Sequence, residues 1–225
     1  AKFFKSKHQV SGESFEKLQL DGAKRAGVLT HPYLLTQFSY SQESSPIHRG
    51  VFLTRNILGR QIKPPAEAVI FKDEDFNPDL TMREKVEKMT SPSNCQGCHS
   101  TINALGFALE GFDALGRYRE RIGNKHVNTQ TTYETYDGKK MELKSASDIA
   151  EIAVNSPVAQ DRFIEMLFQH ATKQPLTAYG PNAASQLRQN FQKNEYNIQK
   201  LFIDICVLHA TMKDKIQLGV KTAQN

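Results

Sequence analysis

Five consecutive residues, Cys95-Gln96-Gly97-Cys98-His99, constrain this chain more than any other part of it. They hold two of its three cysteines and one of its seven histidines, and at those frequencies such a pentapeptide arises by chance in about one chain in a thousand of this length. Any fold adopted here must present two thiols three residues apart, with an imidazole directly after the second. That is the CxxCH pattern of c-type haem attachment: a turn places both thiols on one side, where they add to the two vinyl groups, and His99 reaches the iron from the proximal face. Two other readings of Cys-x-x-Cys compete. A thioredoxin-type pair would need a βαβ context, whereas this one sits between a charged helical stretch and the largely helical TINALGFALEGF. A zinc site would need a second ligand pair, and the only other cysteine, Cys206, lies far along the chain in an apolar run where a lone cysteine reads as a small buried hydrophobe. The motif therefore predicts one covalently bound haem c, with Cys95 and Cys98 as anchors and His99 as iron ligand.

The rest of the sequence is compatible with a folded domain around such a group. At 225 residues, 39% hydrophobic and 24% charged, it is long enough to bury a core without crosslinks and too apolar for a disordered chain. No run approaches the ~18 apolar residues of a membrane span. The net charge of +5 comes from scattered basic residues rather than a block, which argues against a nucleic-acid partner and suits docking to acidic ones. The first residues, AKFFKSKHQV, hold no long apolar segment, so the chain reads as a piece of a longer protein whose export signal would lie outside it.

Periodicity predicts a mainly α protein with one small β-hairpin and a C-terminal helical bundle. Helices are expected near residues 13–20, 32–38 and 46–58, the last opened by Ser44-Ser45-Pro46. Residues 60–80, with Pro64, Pro65 and Pro78, read as a long extended connection of the kind that wraps around something. A charged helix begins at Thr81 and stops before Ser91-Pro92, and another runs over about 94–104. Two aromatics that follow, Phe107 and Phe112, could stack on a porphyrin or simply fill the core. The Thr- and Tyr-rich stretch 127–143, with Asp137-Gly138 at its turn, is the expected hairpin. Further on, 157–173 sets Phe163, Met166, Leu167 and His170 on one helical face, and 198–212 repeats the pattern with Ile198, Leu201, Phe202, Ile205, His209 and Met212. Residues 1–145 are taken as the haem-binding region and 146–225 as a helical region packed on it, either as a second part or as one continuous domain.

The order of motifs resembles a known family. Arg25-Ala26-Gly27-Val28-Leu29-Thr30, then Ser45-Pro46-Ile47-His48-Arg49-Gly50, then the CxxCH segment running into Leu105-Gly106-Phe107-Ala108-Leu109-Glu110-Gly111-Phe112-Asp113-Ala114-Leu115-Gly116-Arg117, are similar to the C-terminal haem region of planctomycete-type cytochrome c proteins. The segment Lys173-Gln174-Pro175-Leu176-Thr177-Ala178-Tyr179-Gly180 resembles their closing helical domain, so the likeness spans about residues 22–212. Where that family commonly has Asn-Phe-Asp and Asp-Pro-Leu-Gly, this chain has Gly111-Phe112-Asp113 and Asn103-Ala104-Leu105-Gly106. Such proteins are large and exported, often joined to other haem or carbohydrate-related modules. The resemblance implies Cys95 and Cys98 as thioether anchors, His99 as proximal ligand, and a periplasmic or cell-surface location.

The residue opposite His99 would decide the chemistry. A sixth protein ligand suits electron transfer, whereas an open position allows ligand binding or peroxide chemistry. His48 is the first choice, at the start of a helix beside Arg49, which could pair with a haem propionate. His170, Met89, Met141 and an open site are the alternatives. The expectation is a monohaem c-type cytochrome module that passes single electrons between redox partners, or to other domains of a larger protein. Its rival is a haem c catalytic or sensing domain with an exchangeable distal site.

Overall fold

The computed structural model describes residues 2–4, 12, 17–63 and 71–222, with Lys2 and residues 212–222 described by their backbone alone. The expected helix near 13–20 and the extended connection over 60–80 fall partly outside the described residues. The protein is mainly α: 55% of it is helical, in eight α-helices accompanied by two small antiparallel ladders among the described residues. It divides into two compact units, Ala1–Asn155 and Ser156–Asn225.

In the first unit, α1 spans Pro32–Gln37 and α2 spans Pro46–Phe52. The start of α2 follows from Ser45, whose hydroxyl accepts the His48 N–H, and from Pro46 in the first turn, where its missing N–H costs nothing. Its end widens into a π-helical turn, Leu53–Ile57, closed by the Leu58 N–H on the Leu53 carbonyl at 2.9 Å. Helix α3, Met82–Met89, opens on a capping box in which Thr81 and Glu84 satisfy each other's backbone N–H groups. After Ser91-Pro92 the chain re-enters a helix as α4, Ser93–Phe107. Two ladders follow, β1 (Arg121–Ile122) with β2 (Lys125–His126), and β3 (Thr131–Glu134) with β4 (Lys140–Leu143), before α5 at Ala146–Asn155. The β3–β4 pair is the expected hairpin, in register Tyr133 with Met141. The β1–β2 ladder corrects the reading of a single hairpin; with two residues per strand it is too short to leave an alternating signal.

What fixes this unit is the crossing of α2 and α4. Pro46 lies beside Gly106 and Gly50 beside Ile102, so the two helices run in opposite directions along their contact. A Cβ on Gly50 would stand 2.0 Å from the Ile102 carbonyl oxygen, and one on Gly106 would stand 2.0 Å from that of Pro46. Only glycine at both positions lets the backbones approach this closely. Around the crossing, Leu35, Leu53, Leu105, Leu109, Leu143 and Ile149 form a core that reaches from α1 to α5.

The second unit holds α6 (Pro157–Thr172), α7 (Ala183–Lys193) and α8 (Ile198–Thr222). Its core is Ile164, Phe168, Leu187, Phe191, Leu201 and Ile205 with Leu176 and Ala183. Helix α6 buries the stripe Gln160, Ile164 and Phe168 rather than the expected Phe163, Met166 and His170, all three of which are exposed. On α8, Leu201 and Ile205 are buried as expected, while Ile198 and Phe202 are exposed, as is Cys206, which corrects its reading as a buried hydrophobe. Among the described residues, no helix is long and apolar enough to cross a membrane.

Candidate functional site

The CxxCH segment forms the first two turns of α4. Cys95, Cys98 and His99 stand at i, i+3 and i+4, the spacing that puts three side chains on one helical face. All three cysteines of the chain are free thiols; Cys95 is half-buried and Cys98 exposed. From Ser91 to Ser100 nearly every residue is exposed, with only Cys95 and His99 half-buried, whereas Thr101 to Phe112 is buried throughout. The motif thus projects from the end of a helix whose other half is embedded in the core.

Three contacts hold this projecting turn. Gln96 donates its side-chain N–H to the Thr90 carbonyl at 2.5 Å, tying the turn to the end of α3. His99 Nδ1 lies 3.0 Å from Asn103 Oδ1, and Asn103 Nδ2 donates to Thr90 Oγ1 at 2.8 Å. Asn103 and Thr90 are both buried, so this polar chain runs through the otherwise apolar base of the site. With Nδ1 engaged, Nε2 is the ring nitrogen left for a ligand. Iron-binding histidines are commonly oriented in this way, by a hydrogen bond from the other ring N–H. Two free thiols and an imidazole whose Nε2 has no hydrogen bond among the described residues, on one accessible helical face, fit the attachment of a haem c. Among the described residues, no three His, Cys, Asp or Glu side chains converge on a point where they could hold a bare metal ion.

His48, the preferred distal ligand, is exposed on α2. Its Nδ1 lies 3.0 Å from Ser45 Oγ and its ring is 5.4 Å from that of Tyr40, leaving Nε2 without a hydrogen bond among the described residues. Met89 is half-buried at the end of α3. Met141 packs against the core from β4, and His170 is exposed near the end of α6.

Arg49 does not serve the role expected of it. It is fully buried, and its two terminal nitrogens donate to the carbonyls of Leu35, Leu109, Phe112 and Asp113 and to the Ser39 hydroxyl, at 2.7 to 3.3 Å. These bonds staple α1 and α2 to the loop after α4, which leaves the guanidinium unable to reach a propionate. Burial brings its pKa down to about 10, opposed by the nearby Glu110. Glu110 is itself buried, and burial pushes its carboxyl up against the pull of Arg119, which faces it at 3.5 Å, and of Arg49. The aromatic readings change similarly. Phe107 is buried with the Arg83 guanidinium 4.5 Å above its ring, and Phe112 is buried with Arg25 at 4.9 Å and Tyr118 edge-on, so both are core residues.

Sequence reasoning missed Asn103, Thr90 and the two glycines. Asn103 carried a usable signal, a lone amide four residues after His99 in an apolar run, which places it on the histidine's face of a helix.

A helix bearing two thiols and an imidazole in CxxCH order is the kind of site found in c-type cytochromes. Residues 25–122 match the family model PSCyt3, protein of unknown function (DUF1588), whose name is that of a planctomycete-type cytochrome c domain family. The match takes in α1 to α4 and ends at β1, and so contains the CxxCH turn and all three of its supporting contacts. No curated protein and no solved structure matches the chain.

Proposed function

We propose that the first unit is a monohaem c-type cytochrome module that carries single electrons between partners. The observation that carries this reading is the placement of Cys95, Cys98 and His99 on one accessible face of α4, with the imidazole held through Nδ1. Each thiol would add across one vinyl group, sulfur to one carbon and hydrogen to the other, without a change in electron count. His99 would bind the iron through Nε2. The group would supply a one-electron couple; the protein's part is to fix its anchors on a rigid helix and leave the attachment face open to a docking partner.

His48 remains the first choice for the distal position: its ring is held by Ser45 at Nδ1 and by Tyr40, and its Nε2 has no hydrogen bond among the described residues. The net positive charge favours acidic redox partners. Covalent haem attachment belongs to the exported side of the membrane, so a periplasmic or cell-surface location goes with this reading.

The test is the reduced spectrum of the haem-loaded chain with and without carbon monoxide, repeated for His48→Ala. A low-spin spectrum indifferent to carbon monoxide, turned high-spin by His48→Ala, supports electron transfer with His48 opposite His99. A haem that binds carbon monoxide in the unaltered chain would replace this reading with a catalytic or sensing site. Replacing Cys95 and Cys98 together with Ala should leave no haem bound after denaturation.

A further inference from the structure

We propose that Asn103, anchored by Thr90, is the positioning residue that fixes the tautomer of His99 and sets how basic its iron-facing nitrogen is. The inference rests on the haem reading for its consequence, but its geometry is independent of that reading.

The chain of hydrogen bonds begins at the end of α3. Thr90 Oγ1 lies 2.8 Å from the Val86 carbonyl oxygen. Two oxygens at that separation need a proton between them, and a carbonyl has none to give, so the Thr90 hydroxyl proton is spent there. Thr90 Oγ1 can then only accept from its next neighbour, so the Asn103 atom 2.8 Å away must be the amide nitrogen. This turns Asn103 Oδ1 toward His99, 3.0 Å from Nδ1. A carboxamide oxygen only accepts, so Nδ1 carries the hydrogen, and in the neutral ring Nε2 keeps the lone pair. Direction thus propagates through four groups, from the Val86 carbonyl to the imidazole, with every step determined by the one before.

Burial gives the chain its force. Thr90 is 2% exposed and Asn103 9%, while Thr101, Ile102, Ala104 and Leu105 around them are buried as well. Away from water, the amide has no competing partner, so an unsatisfied flip would be costly. A neutral imidazole in water interconverts between tautomers; here one is selected in advance. The Nδ1–H to Oδ1 bond also draws the proton partly away from the ring, making Nε2 a stronger donor and favouring ferric over ferrous iron.

The test has two readouts in the full chain. The first is the ring-nitrogen NMR signature of His99 in the haem-free protein: Nδ1–H in the unaltered chain, and a mixture or Nε2–H in Asn103→Leu. The second is the reduction potential of the loaded protein. Asn103→Leu, which removes the acceptor, should raise it by about 59 mV, a tenfold shift toward the reduced form for one electron. Asn103→Asp, which strengthens the acceptor, should lower it, and Thr90→Val, which only frees the amide, should move it in the same direction as Asn103→Leu by less. A residue that merely filled space would not give opposite shifts for Leu and Asp. Shifts of one sign for both, no shift in either, or an Nε2–H histidine in the unaltered chain would overturn the proposal. If no haem becomes attached, the function proposed above fails, and the tautomer measurement alone decides the hydrogen-bond chain.

Discussion

The two halves of α4 are built on opposite terms. From Thr101 onward the helix is embedded, with Gly106 pressed against the Pro46 backbone and Ile102 against Gly50, and its conformation is dictated by packing on every side. The half that carries Cys95, Cys98 and His99 has almost no packing; a Cβ on Gly97 would meet nothing within 4 Å. It is held by being the continuation of a fixed helix and by two side chains, Gln96 and Asn103, both tied to Thr90. The contrast shows how a site can be rigid and accessible at once: the buried half supplies the direction, and a few directional hydrogen bonds supply the register.

The buried half depends most on the crossing. Gly50→Ala or Gly106→Ala should cost about 3 kcal/mol or more, because the atom met is main chain and cannot turn aside. Thermal unfolding should show the first unit melting early in both variants. A smaller effect is expected from Thr81→Ala, which removes the cap of α3 and should cost about 1 kcal/mol. Since Thr90 closes that same helix, hydrogen exchange should quicken over α3 and the CxxCH turn before it does in the buried half of α4.

Acid should act on the same cap. The backbone N–H of Thr81, and after it Lys125, hold the Glu84 carboxyl below the usual carboxylate range. A depressed folded-state value means that its stabilisation is present at neutral pH and fades as the pH falls through that range. Melting curves of the unaltered chain and Glu84→Gln should therefore differ at pH 7 and converge on acidification. The smallest effect sharpens the contrast from the other side. Gly97→Ala, the same substitution that is damaging at Gly50, should raise stability by about 0.5–1 kcal/mol in the haem-free chain, as alanine does at an uncrowded helical site.

Much of this was legible in the sequence where the cause is local. Ser45-Pro46 opens α2 and Thr81 opens α3 because capping depends on neighbours within one turn, and the five-residue motif declared its own helix. What was missed depends on residues far apart. Nothing near Gly50 announces that Ile102 will lie against it, and Arg49 looked available for a propionate because three of the four carbonyls it serves, those of Leu109, Phe112 and Asp113, are around sixty residues further on. Phe107 and Phe112 were ambiguous for the same reason, since the arginines covering them come from other segments. The helical face chosen for α6 was displaced because apolar residues occur on two adjacent stripes, and only the partners in α7 and α8 select the one that is buried.

The most direct measurement is the intact mass and absorption spectrum of the unfolded chain after production alongside a c-type haem attachment system. The account predicts that the polypeptide carries the mass of one haem and keeps its Soret band in denaturant, with the attachment mapped to the peptide holding Cys95 and Cys98. A colourless chain, or haem that solvent extraction removes from the unfolded polypeptide, would contradict it.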